Sequence, residues 1–156
     1  MNVIIPLAGF GTRLRPHTYT RPKPLINVAG KPVLGHILDK LHGLNIKEIV
    51  FVVGYLGDQV KTYVETNYDF QTCYVEQKEL LGQAHAIYLA KELVEGPTII
   101  LFVDTLFEAN LDRLNHETSD GVIYVKEVTD PRRFGVTLVN EAGNVTRLKK
   151  AHQHER

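Results

Sequence analysis

Short apolar runs recur along this chain with helically spaced stretches between them, and that alternation limits the possible folds more than any other feature. Asn2-Val-Ile-Ile5 reads as a buried strand. Residues 33–44 place Val33, Ile37, Leu41 and Leu44 at helical spacing, with Gly43 and Asn45 as stop signals. Residues 47–53 form a strand almost free of polar interruption, as expected where both faces are covered. Gly54 to Asp58 is a turn with Asp58 as a helix N-cap. The helix after it carries Val60 and Val64 inward and ends near Tyr68. Residues 72–76 are a third strand and 77–82 a loop. A helix over 83–93 puts Ala86, Leu89, Ala90 and Leu93 on one face, stopped by Gly96-Pro97. Residues 98–103 are the most apolar strand, ended by Asp104. A short helix over 109–115 precedes strands at 121–128, 135–139 and 144–148, the last two joined as a hairpin through Asn140-Glu-Ala-Gly143. Residues 149–156 are polar and unpatterned.

This order predicts βαβ units and an α/β fold: a Rossmann-like, mostly parallel sheet with helices on both faces. Residues 1–150 are expected to form one domain, followed by a polar tail over 151–156. In open α/β sheets, ligands bind beyond the carboxyl ends of the strands. Three features fall at such ends: the Gly9–Arg13 loop, the Gln77–Gly82 loop, and Asp104. All three are expected to line one crevice.

The first of these loops carries the chemistry. Gly9 and Gly11 permit positive φ and close backbone approach to an anion. Thr12 adds a hydroxyl, and Arg13 a planar fork of donors matched to phosphate oxygens. Pro22 and Pro24 stiffen the backbone around Lys23, which delivers a point charge to a set place. Arg15 and Arg21 add charge to the same segment. Two familiar phosphate motifs do not fit: a dinucleotide fingerprint needs a glycine where Leu14 stands, and a P-loop needs Lys then Ser or Thr where Thr12-Arg13 stand.

With 18 basic against 18 acidic residues in 156, no broad field exists to draw nucleic acid or an anionic membrane. Phosphate binding must come from local placement. The single Cys73 excludes an internal disulfide, suits a reducing compartment, and reads as an inert strand thiol. No apolar run reaches membrane-spanning length and no signal peptide is evident, so the expected location is cytoplasmic.

Gly9-Phe-Gly-Thr-Arg-Leu-Arg-Pro16 and Pro22-Lys-Pro-Leu-Ile-Asn-Val-Ala-Gly-Lys-Pro32 resemble the signature of sugar-1-phosphate nucleotidyltransferases. The resemblance covers nearly the whole chain, which is expected to correspond to the first half to two-thirds of such an enzyme. It implies transfer of a nucleotidyl group from a nucleoside triphosphate to a sugar 1-phosphate, giving a nucleotide sugar and pyrophosphate, with Mg²⁺. By the same resemblance Leu7 and Ala8 offer backbone groups to base and ribose, and Gly9, Gly11 and Thr12 belong to the nucleotide loop. Arg13 and Lys23 are catalytic cations. Gln77 reads the base through its amide, and the base lies against Gly82. Asp104 is the metal ligand, with Val103 where the family usually has glycine. Phe134-Gly135 resembles the pair that faces the sugar. The histidines have blander readings: His17 in the signature loop, His36, His42 and His85 on helices, His152 and His154 in the tail.

The match departs from the family after the hairpin. There the family has Glu-Lys-Pro, and this chain has Lys150, Ala151 and His152. The nucleotide half of the site reads as complete and the sugar half as broken, so the chain is expected to bind triphosphate with Mg²⁺ and to catalyse poorly by itself. Two alternatives stand beside the enzyme reading: a non-catalytic nucleotide-binding or interaction module, and a relative acting on phosphocholine. An unfinished sheet edge after residue 150 invites self-association as a homo-oligomer.

Overall fold

The computed structural model describes residues 1–150, apart from the side chains of Arg133 and Lys150. Backbone contacts divide the described residues into two compact units, 1–117 and 118–150.

The first unit is built on a four-stranded parallel sheet. Its strands are β1 (Asn2–Pro6), β4 (Glu48–Val53), β5 (Thr72–Glu76) and β6 (Thr98–Ile100), in the order β5-β4-β1-β6. Two short strands, β2 (Asn27–Val28) and β3 (Lys31–Pro32), pair antiparallel around Ala29 and Gly30, both at positive φ as a two-residue turn requires. The helices are α1 (Val33–Asp39), α2 (Gly57–Asn67) and α3 (Gln83–Leu89).

Strand alternation sorts the core into two layers. Val3, Ile5, Ile49 and Phe51 face α1 and α2, meeting Leu34, Ile37, Leu38, Val60 and Val64. Ile4, Val50 and Val52 face the other way and meet Ala86 and Ala90 of α3. β1 and β4 are therefore buried on both faces, which explains their unbroken apolar sequence. Phe51 stacks on Tyr74 with ring centroids 5.3 Å apart. The expected sheet with helices on both faces is observed.

Element ends differ from expectation for identifiable reasons. Past Asp39 the backbone bonds of α1 tighten to three-residue spacing, from Leu41 N–H to the Leu38 carbonyl and His42 N–H to the Asp39 carbonyl. Leu41 and Leu44 still reach the core, so the apolar pattern outlasts the helix; His42 sits in that turn, not on a helix. α2 begins at Gly57, with Leu56 at the cap in the left-handed region, so Asp58 lies inside the first turn. Its charge there still complements the helix dipole. α3 stops at Leu89 and a three-residue turn follows over Lys91–Leu93. The changed winding leaves Leu93 exposed and lets Val94 pack in its place. The helix expected over 109–115 is a 3₁₀ segment, Asp112–His116.

β6 is also shorter than expected. Even-numbered residues of β1 face β6: Asn2 N–H reaches the Pro97 carbonyl and Leu101 N–H reaches the Ile4 carbonyl. The next donor in that row would be residue 6, and Pro6 has no N–H to give. The ladder ends there, and the chain leaves the sheet after Leu101.

In the second unit β7 (Gly135–Val139) and β8 (Val145–Lys150) form the expected hairpin, with Gly143 at φ +80° in the turn. The strand expected over 121–128 joins no sheet among the described residues, and Val122, Ile123 and Val125 are exposed. Its apolar, β-branched sequence has the propensity, but propensity without a pairing partner makes no ladder. The expected tail, with Ala151, His152 and His154, lies outside the described residues.

Truncating Phe51 to alanine should cost about 3–5 kcal/mol of unfolding free energy in urea titrations, because it empties the centre of the α1–α2 layer. A second expectation concerns acid. The Lys31 ammonium bonded to Asp39, with help from the Tyr68 hydroxyl, holds the Asp39 carboxyl below its ordinary value. A depressed carboxylate stabilises the fold above its unfolded pKa and loses that contribution as pH falls through the folded one. The stability gap between the wild type and Asp39→Asn should therefore be largest near neutrality and close below the usual aspartate range. Urea midpoints measured across acid pH would show it.

Candidate functional site

At the carboxyl end of the sheet, the first unit holds a cleft of about 570 Å³. Its wall includes Leu7, Ala8, Gly9, Gly11, Thr12, Arg13, Lys23, Gln77, Gly82 and Asp104. These come from the loop after β1, the loop after β5, and the turn beyond β6, the three places marked in the sequence. The volume lies within the range of small-ligand pockets.

The loop after β1 is held in place by its neighbours. Leu7 N–H bonds the Val52 carbonyl at 2.9 Å, extending the β1–β4 pairing by one residue. A Cβ on Gly54 would come within 2.6 Å of the Ala8 carbonyl oxygen, so glycine at 54 is what lets the two strand ends approach. Gly11 sits at φ +63°, and a Cβ there would meet Thr18 Cγ2 at 2.9 Å. The buried Thr18 hydroxyl donates to the Gly11 carbonyl at 2.9 Å. Gly9 differs: its φ is not positive, and a Cβ would meet nothing within 4 Å. The expectation of positive φ thus holds for Gly11 and not for Gly9, whose missing side chain leaves open space instead.

The basic segment separates into distinct places. Arg13 and Lys23 line the cleft, but Arg15 and Arg21 do not. Arg15 lies over the Tyr19 ring at 5.2 Å, and Arg21 borders a shallower hollow with Pro16, His17, Thr20, Ile26 and Asn27. The Tyr55 hydroxyl donates to the Tyr19 carbonyl and Gln59 Nε2 to the Thr20 carbonyl, which pins this segment to the β4–α2 connection. Lys23 opens a short 3₁₀ turn whose Pro24 and Leu25 are buried. Its Nζ stands 3.3 Å from Asp104 Oδ2 with both side chains partly exposed. Asp104 lies in the turn beyond the shortened β6, not at the strand terminus, and caps no helix.

Gln77 is buried at 6 % exposure, with Nε2 3.2 Å from the Gly82 carbonyl and 3.0 Å from His85 Nδ1. Gly82, at φ +99°, leaves nothing within 4 Å of a would-be Cβ, so its open side belongs to the cleft. Sequence reading missed the apolar wall: Phe10, Leu80, Phe102 and Ala86 also line the cleft. Large apolar residues just past strand ends were the available signal. His85 was passed over as a helix residue; nothing in the sequence shows its contact with Gln77.

A metal could find one carboxylate here. Among the described residues no group of three or more His, Cys, Asp or Glu side chains gathers as a ligand set. One carboxylate at the cleft mouth suits Mg²⁺, which takes one or two carboxylates and fills its other positions with phosphate oxygens and water. In this structure that carboxylate is paired with the Lys23 ammonium. Gly135 belongs to the second unit, at the start of β7, where it pairs in register with Lys150. Among the described residues no helix is long and apolar enough to cross a membrane.

A family model described as nucleotidyl transferase matches residues 2–150. Curated relatives include the bifunctional protein GlmU of Methanococcus maripaludis, 37% identical over 99% of this chain and 36% of that protein. Another is the UTP–glucose-1-phosphate uridylyltransferase AglF of Haloferax volcanii, 32% identical over 95% of this chain and 64% of that protein. The chain thus spans about a third of the length of the GlmU proteins it matches. A crystal structure of UDP-glucose pyrophosphorylase complexed with UDP-glucose superposes with a TM-score of 0.74 at 18% identity, covering 97% of this chain and 68% of that one. That likeness establishes the nucleotide-diphospho-sugar transferase type of fold.

The two glycines of the first loop should respond differently to substitution. Gly11→Ala should lose roughly 1–3 kcal/mol, from left-handed strain and the Thr18 contact. Gly9→Ala should stay within about 0.5 kcal/mol of wild type. Equal losses for the two in urea titrations would contradict the geometry.

Proposed function

The chain belongs to the nucleotidyl transferase family, and from that premise we propose that its cleft binds a nucleoside triphosphate with Mg²⁺ for nucleotidyl transfer to a sugar 1-phosphate. The observation that carries the reading is the convergence of Arg13, Lys23, Gln77 and Asp104 on one cleft with an apolar wall. Gln77 and Gly82 receive the base, Leu7 and Ala8 supply backbone groups, and the space beside Gly9 admits the phosphates. Arg13 and Lys23 neutralise the triphosphate, and Asp104, paired here with Lys23, is the residue that would hold Mg²⁺. Mg²⁺, when bound, supplies charge to the phosphate oxygens.

The reaction needs no protein nucleophile. A phosphate oxygen of the sugar 1-phosphate attacks the α-phosphorus in line, the bond to the β-phosphate oxygen breaks, and pyrophosphate leaves. Positioning and positive charge do the catalytic work. A second reading, a binding module without turnover, is favoured by Lys150 standing where the family has its acid.

Isothermal titration should show triphosphate binding that strengthens with Mg²⁺. Arg13→Ala should weaken it roughly tenfold or more through loss of charged hydrogen bonds, with unfolding free energy within about 0.5 kcal/mol of wild type. No binding of any triphosphate would sink the proposal. Pyrophosphate release on adding glucose 1-phosphate separates the enzyme from the module: rapid release supports the former and slow or absent release the latter.

A further inference from the structure

Among the polar side chains lining the cleft, only Gln77 is buried. Its amide has two ends with opposite hydrogen-bonding character, and the neighbours decide which end a ligand meets. The Gly82 carbonyl, 3.2 Å away, can only accept, so the atom facing it must be the amide nitrogen. That places the same nitrogen 3.0 Å from His85 Nδ1. The second amide hydrogen goes to that ring nitrogen, which must be the unprotonated one, with the ring hydrogen on Nε2. Both donor hydrogens of Gln77 are thus spent inside the protein. Oε1 has no protein partner among the described residues.

We infer that His85 is a positioning residue: with the Gly82 carbonyl it fixes the Gln77 amide so that only the carbonyl oxygen is offered to the cleft, and the site selects bases with a ring N–H. The inference rests on the nucleotide reading above and deepens it. Uracil, thymine and guanine carry a ring N–H on the Watson–Crick edge. Cytosine and adenine can give only an exocyclic amine, and doing so sets the lone pair of a bare ring nitrogen beside the same oxygen. A freely turning amide would serve either class by presenting whichever end was needed. Held by two acceptors eight and five residues away in sequence, it cannot.

The test is the ratio of dissociation constants for CTP and UTP, read by titration calorimetry on the full chain with Mg²⁺. Wild type should favour UTP over CTP, and over UTP methylated at N3. His85→Phe keeps the ring and removes the acceptor, so the CTP/UTP ratio should fall roughly fivefold, the worth of one ordinary hydrogen bond. His85→Asn can place an amide oxygen near the Nδ1 position and should restore much of the ratio. Inorganic tripolyphosphate, which has no base, should bind all three proteins alike; unequal binding would point to a general distortion and overturn the positioning role. Equal wild-type affinity for UTP, its N3-methyl form and CTP would overturn the inference with no variant needed. So would an unchanged ratio in His85→Phe. If neither tripolyphosphate nor any triphosphate binds, the nucleotide reading itself fails and this inference falls with it.

Discussion

The middle strand of the sheet has nowhere to send its backbone hydrogen bonds except sideways. β1 is covered above and below by packed side chains, so water reaches neither face. An unmet amide there would cost more than any single contact returns. Parallel pairing to β4 on one side and β6 on the other is the solution. It also determines where chemistry can occur. Polar backbone becomes free for a ligand only where the pairing stops, at the carboxyl edge. The cleft is the region in which the sheet no longer satisfies itself, and its polar side chains are those carried over that edge.

Apolar periodicity reports burial, and it served well where burial and pairing coincide. β1 and β4 were legible because residues covered on both faces must be apolar throughout. Residues 121–128 have the same look without the ladder, because composition specifies a tendency and a sheet needs a neighbour. Helix ends were less legible. Leu41 stays in the core although the helix has tightened, so its spacing carries no mark of the change. Charge clustering misled in a related way. Four cations within a dozen residues read as one patch, yet the fold sends Arg13 and Lys23 one way and Arg15 and Arg21 another.

The convergence of the candidate site's loops was legible, and its apolar wall and its polarity were not. The expected loops do converge, because strand direction alone dictates which loops share an edge. Which way an amide points depends instead on a helix residue and a loop carbonyl meeting it in space. Gln77 and His85 are separated by the Gly82 turn, and only the left-handed backbone at that glycine brings them together. Residue identity gives the inventory of donors and acceptors; the turn decides which of them are already committed.

The spacing of the two opposite charges at the cleft mouth traces back to a hydrogen that is not there. Pro6 cannot extend the row of bonds toward β6, so the chain peels off after Leu101 and swings Asp104 to within reach of Lys23. Where the sheet lets go, and so where the main chain of Asp104 departs, follows from that missing N–H, and the side chains of Lys23 and Asp104 span what remains. A residue that carries no charge thus shapes the ground on which an electrostatic pair forms.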